Sequence, residues 1–180
     1  IYTAPSYLQF TAPGELPYDS RVSIPVPRVR PRPGEPADTV AITIAELHEV
    51  VSRRLPIERI FADTGQLDTI IQASGGHLRD LLCLLRQVLN LMYRMSLTPP
   101  LRDEHIEEVI GQVARAFMSM TAEREGFLRQ VVAGDGTVRP TESDIQLMAT
   151  LLQTHMLLGH LNGQEWYEVH PLARRALGLP

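Results

Sequence analysis

The chain has 180 residues, 44% of them hydrophobic, with a formal net charge of −4 and a pI near 5.9. This length suits one ordinary domain or two small ones, and the hydrophobic content is sufficient for a core. The acidic balance argues against a generally nucleic-acid-binding surface. Charged or polar residues interrupt every long apolar stretch, so no segment is predicted to span a membrane. With no signal peptide and a single cysteine, Cys83, we expect a cytoplasmic protein without disulfides.

Residues 1–36 form the least regular region and contain eight of the 14 prolines. Two short strand-like pieces are predicted, at Ile1–Ala4 and Val22–Val29, and the prolines in the second favour an edge strand or an extended arm. Arg28–Pro36 is predicted to be an exposed, stiff linker, whose arginines form either an anion-binding patch or an ordinary solvated surface. Because the sequence opens without Met and enters a strand-like pattern at once, we interpret the chain as a fragment.

A helical pattern begins at Thr43, where Thr43 and Glu46 have the spacing of a capping box. The strongest helix is His77–Met95, whose apolar residues recur at spacings of three and four around a wide arc. We therefore expect this helix to be central and largely buried. Its apolar stripe comprises Leu78, Leu81, Leu82, Leu85, Val88, Leu89 and Met92, widened by Leu84 and Leu91. The other predicted helices of this region are Thr43–Leu55, Gly65–Ala73, Asp103–Phe117 and Thr121–Ala133.

The last forty residues change character. A short strand is predicted at Thr137–Arg139, followed by a helix that starts at Thr141. Two strands, Met156–Leu161 and Glu165–His170, are joined by Asn162-Gly163, the strongest two-residue hairpin signal. A final helix begins at Pro171. The predicted fold class is mainly α, with a helical bundle followed by a small winged-helix-like module that carries a C-terminal β-hairpin, and with strands at the N-terminus.

The segment SGGHLRDLL, Ser74–Leu82, carries the most informative pattern. Gly75 and Gly76 before a helix permit a tight turn and allow a second backbone, or a phosphate, to approach closely. Arg79 lies in the first turn, where the helix dipole favours acids, so a group outside the helix such as a phosphate is expected to contact its guanidinium. Asp80 either orients Arg79 or favours the helix N-terminus. The alternative is an ordinary helix start with Arg79 in solvent.

This segment resembles the sensor-2 motif of AAA+ and STAND ATPases, in which a Gly-Gly-x-x-Arg-Asp turn opens a lid helix. The resemblance implies that residues 1–36 are a remnant of the ATPase core and a linker, with sensor 1 near Thr3. It further implies that residues 37–118 are the helical lid and residues 119–180 the winged-helix-like module.

By the same resemblance, Arg79 contacts the terminal phosphates of ATP, bound with Mg²⁺ in the intact parent protein, at the turn that Gly75, Gly76 and Asp80 form. The chain contains no Gly-x-x-x-x-Gly-Lys loop and no Walker B run, and all 17 basic side chains are arginine, which indicates a GC-rich bacterial genome. No catalytic residue is therefore assigned, and the chain alone is expected neither to hydrolyse ATP nor to hold a cofactor.

The implied function is nucleotide sensing in a P-loop ATPase, with lid position relayed to a protein partner or a neighbouring domain. The implied partners are the upstream ATPase core and a protein partner or a second copy. Two alternatives remain: a stand-alone helical protein-interaction module and a winged-helix DNA-binding regulator. The helix that would read DNA begins at Thr141 and has acidic residues but no Arg or Lys, which disfavours nucleic acid. The nearby cations are Arg139, Arg174 and Arg175.

Three histidines, His155, His160 and His170, lie around the predicted hairpin. Zinc binding is not predicted, because neither a cysteine nor a second carboxylate completes a familiar ligand set. Trp166 and Tyr167 are consecutive on a strand, so one is expected to face the core and the other to be exposed.

Overall fold

The computed structural model describes residues 7, 8, 26–32, 34–117, 120–134, 136, 141–162 and 164–179. Within these residues the fold is mainly helical with one antiparallel β-hairpin near the C-terminus, which confirms the predicted class. The strands predicted at Ile1–Ala4 and Thr137–Arg139 lie outside the described residues. None of the described helices is both long and apolar enough to cross a bilayer.

The regular elements follow one another along the chain with short connections. Three 3₁₀ turns occupy Ala37–Val40, Arg115–Phe117 and Glu142–Asp144. The α-helices and strands are α1 (Ala41–Ser52), α2 (Ile57–Ile60), α3 (Thr64–Ala73), α4 (Leu78–Met95), α5 (Asp103–Ala114), α6 (Ala122–Ala133), α7 (Ile145–Gln153), β1 (Leu157–Asn162), β2 (Gln164–Val169) and α8 (Pro171–Ala176).

The chain divides into two compact units. The first, here called the helical unit, contains residues 27–118 and 171–178, and therefore α1 to α5 and α8. The second, here called the hairpin unit, contains the chain up to Val26 and residues 119–170. The predicted lid covers most of the helical unit.

The core of the helical unit is built around α4, which packs against α3 and α5, while α8 packs against α5. Burial of one leucine or valine side chain contributes about 1.5–3 kcal/mol, so the buried face of α4 stabilises the helical unit. The buried residues of α4 are Leu81, Leu84, Leu85, Val88 and Leu91.

The expectation that α4 is largely buried is wrong for three residues of its nine-residue apolar stripe. Leu78, Leu82 and Leu89 are 45%, 38% and 37% exposed, and Tyr93 is 88% exposed. The apolar arc of α4 is wider than the surface that α3 and α5 cover. One row of apolar side chains therefore remains in contact with solvent.

The capping box predicted at Thr43 is also wrong, because α1 begins two residues earlier. The 3₁₀ turn Ala37–Val40 continues directly into α1, so Thr43 is the third residue of the helix. Backbone carbonyls of the turn take the place of a side-chain cap: Thr39 N–H donates to Pro36 O, at 3.2 Å, and Ala41 N–H donates to Asp38 O.

The segment predicted as an exposed linker packs into the helical unit. Val29 is 2% exposed and belongs to the core. A guanidinium nitrogen of Arg28 lies 2.7 Å from a carboxylate oxygen of Glu35, and the Arg32 backbone N–H donates to the same oxygen at 3.1 Å. Residues 26–29 form no strand, because the prolines leave too few donors for a ladder. The residues from 22 to 25 lie outside the described part.

In the hairpin unit, β1 and β2 pair antiparallel from Leu157 opposite Val169 to Asn162 opposite Gln164. Asn162 was predicted to be the first residue of a two-residue turn, but it belongs to the ladder. α6 packs against β2 and α7 against β1. The prediction that one of Trp166 and Tyr167 is exposed is wrong, because each is 6% exposed. The hairpin is covered on both of its faces.

Candidate functional site

The turn between α3 and α4 is tight and depends on its two glycines. Ser74 ends α3, and its hydroxyl donates to Ile71 O at 2.6 Å and accepts the Gly76 N–H at 3.2 Å. Gly75 and Gly76 have φ of 62° and 79°, in the left-handed region that side chains with a Cβ rarely adopt. His77 N–H then donates to Ser74 O at 3.1 Å, just before α4 begins.

Gly76 allows a close approach by another part of the same unit. A Cβ at this position would lie 1.8 Å from the Pro27 carbonyl oxygen and 3.3 Å from a Val29 methyl. The glycine pair predicted that either a second backbone or a phosphate approaches here. The backbone of Pro27 fills that space. Gly76 therefore allows the first residues of the helical unit to pack against the start of α4.

Asp80 interacts with the residue that precedes α4. A carboxylate oxygen of Asp80 lies 2.7 Å from Nδ1 of His77, and both side chains are about four-fifths buried. Of the two roles expected for Asp80, this geometry matches the helix N-terminus, where a carboxylate also interacts favourably with the helix dipole. His77 and Asp80 thereby fix the direction in which the first turn of α4 leaves the glycine turn.

Arg79 differs from its three neighbours in the motif. It is exposed, and its guanidinium makes no hydrogen bond or ion pair with the part of the chain that the structure describes. It lines an open pocket of about 470 Å³ together with Leu78, Leu82, Cys83 and Arg86, all on α4.

Arg86 is exposed as well and has no ion-pair partner among the described residues. Seven residues separate it from Arg79, which is two helical turns, so the two guanidinium groups project from the same side of α4. Paired guanidinium groups beside an apolar surface suit a phosphate or a carboxylate, to which arginine donates two parallel hydrogen bonds. The chemistry that α4 offers is therefore anion binding next to exposed leucines.

The histidines of the hairpin unit have structural contacts. His160 is 3% exposed and stacks on Trp166 with ring centroids 4.5 Å apart. Its Nδ1 lies 3.0 Å from Val26 O, and its Nε2 lies 3.4 Å from a carboxylate oxygen of Glu168. His170 is fully buried, while His155 stands in a left-handed turn after α7 with a φ of 57°.

The pairing of His160 with Glu168 was not predicted from the sequence. The signal was available in the alternation of the hairpin, because residues 158, 160, 166 and 168 share one face once the register is known. The sequence alone predicts no register, so it does not pair these two residues.

The start of α7 is acidic and capped. The Thr141 hydroxyl donates to a carboxylate oxygen of Asp144 at 2.6 Å, and the Thr141 backbone N–H donates to it at 3.0 Å. These hydrogen bonds stabilise the ionised form and hold the pKa of Asp144 below 3.8. A negative charge at the start of this helix opposes contact with a nucleic-acid backbone.

One of the cations counted near the hairpin is already paired. Arg175 lies on α8, and its guanidinium donates to a carboxylate oxygen of Glu107 on α5 at 2.7 Å. Arg139 lies outside the described residues. Of the four residues predicted for nucleotide sensing, Arg79 is the one whose polar group is both exposed and unpaired within the described chain.

Comparison with known proteins identifies no relative of this chain: no family model, no curated protein and no solved structure matches it. What the chain does is therefore inferred from the residues of α4 and from the resemblance of the segment that opens it.

Proposed function

We propose that the helical unit is the regulatory lid of a P-loop ATPase whose nucleotide-binding core is supplied by protein outside these 180 residues. The observation that supports the proposal most directly is the exposed guanidinium of Arg79, unpaired within the described chain, in the first turn of an 18-residue helix. In this function the chain senses ATP and does not hydrolyse it by itself.

Arg79 reports the phosphate charge through differential binding. A guanidinium that donates to the terminal phosphate of ATP loses that contact when the phosphate leaves, so the closed position of the lid is favoured only with ATP. Because α4 packs against both α3 and α5, a displacement at Arg79 moves these helices together. The relay to a partner then follows from rigid packing.

The other residues of the motif have positioning roles in this proposal. Gly75 and Gly76 form the turn, and Pro27 occupies the space beside Gly76. Asp80 holds His77 at the start of α4. These contacts set the direction of α4 and hence the place where the Arg79 guanidinium meets its anion.

The test uses the longer polypeptide that the proposal requires, with an intact nucleotide-binding core. We expect Arg79→Ala to weaken ATP affinity by roughly tenfold to a hundredfold, since a hydrogen bond to a charged group contributes about 1.5–3 kcal/mol. Binding of a fluorescent ATP analogue and the rate of ATP hydrolysis are the measurements.

Arg59→Ala is the matched control, because Arg59 is also exposed, lies in the helical unit and has a guanidinium with no partner among the described residues. Equal ATP affinity and hydrolysis in the parent protein and in Arg79→Ala would contradict the proposal. So would a parent protein without any mononucleotide-binding core.

A second candidate function, a helical protein-interaction module, is favoured by a different observation. α4 exposes leucines and a tyrosine beside its arginines, which a sensor arginine alone does not require. The DNA-binding alternative is less well supported, because the start of α7 carries the ionised Asp144 and Arg175 is paired with Glu107.

A further inference from the structure

Four exposed apolar side chains lie along one side of α4. Leu78, Leu82, Leu89 and Tyr93 are 45%, 38%, 37% and 88% exposed. At the α-helical period they fall within about 60° of one another and extend over about 22 Å of the helix axis. Scattered exposed leucines are ordinary, whereas a contiguous apolar strip marks an interaction surface. We call these four residues the α4 row.

Two arginines border the α4 row on the side away from the core. Arg79 and Arg86 are separated by about 10 Å along the axis, and neither has an ion-pair partner in the described chain. The single acidic residue of α4, Asp80, is bonded to His77. The edge of the row is therefore locally positive in a chain whose net charge is −4.

We propose that the α4 row is a docking site for an amphipathic helix of another protein, with apolar residues on one face and carboxylates along its edge. The row is one side chain wide and about four turns long, which matches the apolar stripe of a single helix. Carboxylates two turns apart on that helix reach Arg79 and Arg86, and bidentate pairing fixes the register.

The charges select this occupant over two others. An antiparallel symmetric dimer through the row places the arginines of both copies along one edge, which is repulsive. A parallel symmetric dimer offers them no carboxylate from α4 other than Asp80, which is hydrogen-bonded to His77. An anionic bilayer attracts two arginines but repels a protein with a net charge of −4. An acidic helix satisfies the arginines and the leucines together.

Docking at the α4 row does not depend on nucleotide sensing. It shares Arg79 with the proposed phosphate contact, but Leu82, Leu89 and Arg86, which its variants change, have no role in that contact. The two proposals therefore fail separately: one in ATP affinity of the longer protein after Arg79→Ala, the other in peptide binding by this chain.

The experiment uses the 180-residue chain and a fluorescent synthetic helix of about 18 residues, or five turns. One peptide carries a leucine stripe flanked by glutamates, and its matched counterpart carries lysines at the same positions. We expect the acidic peptide to bind at least about tenfold more tightly than the basic peptide in fluorescence anisotropy.

Two variants test the row itself. Leu82→Asp combined with Leu89→Asp should weaken acidic-peptide binding by at least about tenfold, because the apolar contact is lost at its centre. Arg86→Glu should largely remove the preference for the acidic peptide, because the new carboxylate and the remaining Arg79 offset each other. Ile42→Asp and Arg59→Glu are the controls: Ile42 is 76% exposed and lies on α1, and neither change should alter affinity more than about twofold.

Circular dichroism of each variant establishes that the fold is retained, which is expected because every substituted side chain is at least one-third exposed. The proposal is overturned if the two peptides bind equally, or if Leu82→Asp with Leu89→Asp leaves acidic-peptide affinity unchanged. It is also overturned if the row instead captures phosphatidylserine vesicles, or holds a homodimer that these two aspartates dissociate in sedimentation.

Discussion

The longest helix, α4, and the β-hairpin differ in opposite directions from the burial that their sequence patterns predict. Apolar side chains around a wide arc predict a buried helix, and alternation on a strand predicts one covered and one exposed face. α4 nevertheless exposes Leu82 and Leu89, whereas the hairpin buries both Trp166 and Tyr167. The apolar residues of an element set how much surface it is able to bury. The helices and strands that pack against the element determine how much of that surface is covered.

The neighbours differ in each unit. α4 is contacted by α3 and α5 on one side. The apolar arc continues beyond these two helices through four exposed residues: Leu78, Leu82, Leu89 and Tyr93. In the hairpin unit, helices α6 and α7 pack against the strands. The chain at Val26 adds a further contact, because its N–H donates to Gly159 O at 3.4 Å and its carbonyl meets His160.

The hairpin half of this comparison predicts the largest effect. Trp166→Ala and Tyr167→Ala, made separately, should each lower the free energy of unfolding by about 3–5 kcal/mol, because each removes a buried aromatic side chain. Urea denaturation followed by circular dichroism measures both changes. If one of the two substitutions were silent, its face of the hairpin would be exposed, and the contrast with α4 would disappear.

Two leucines of α4 provide the matching test for the helix. Leu84 is fully buried and Leu82 is 38% exposed, so Leu84→Ala should cost about 3 kcal/mol and Leu82→Ala less than about 1 kcal/mol. The same denaturation assay reports both. Equal costs for the two leucines would mean that α4 is covered on both sides.

The glycine turn before α4 predicts a somewhat smaller loss. Gly76→Ala should destabilise the chain by at least about 2 kcal/mol, since its Cβ would overlap the Pro27 carbonyl at a φ of 79°. Gly126→Ala is the control, because a Cβ at this helical position meets nothing within 4 Å. It should stabilise α6 by up to about 1 kcal/mol. A tolerated Gly76→Ala would contradict the close approach described here.

The smallest effect is a local pH dependence at the start of α7. The folded-state pKa of Asp144 lies below 3.8 because Thr141 donates hydrogen bonds to its carboxylate. The stabilisation is therefore present above that value and lost as the pH falls through the folded-state pKa. Amide chemical shifts of Thr141 to Ile145 should change as the pH falls below the ordinary pKa of an aspartate. Asp144→Asn should weaken that change, and Glu142→Gln should not.

Helix existence was readable from local patterns. Thr121 caps α6, with its hydroxyl accepting from Arg124 N–H at 3.4 Å, and the Ser74–Gly76 break separates α3 from α4 as predicted. Such signals involve residues three or four apart, so they need no knowledge of the fold. The start of α1 was missed for a related reason, because a 3₁₀ turn satisfied its donors without any recognisable cap residue.

The candidate site divides in the same way. From the sequence alone, Arg79 is a cation in the first helical turn, where the helix dipole favours acids. Its role toward ATP stays a prediction. The sequence did not identify Pro27 as the neighbour of Gly76, because the glycine pair is equally compatible with a second backbone and with a phosphate. It did not identify His77 as the partner of Asp80, because the pattern is equally compatible with Asp80 orienting Arg79. Arg86 was overlooked, since its importance depends on the exposed row beside it.

The amino-acid sequence by itself located every α-helix of the described residues except the four-residue α2. It also located the hairpin and excluded a lysine-dependent phosphate loop from this chain. Tertiary structure alone decided which side of α4 faces solvent, and that both hairpin aromatics are covered. The physical reason is range: capping and periodicity act between residues a few positions apart, whereas burial is a property of surfaces contributed by distant parts of the chain.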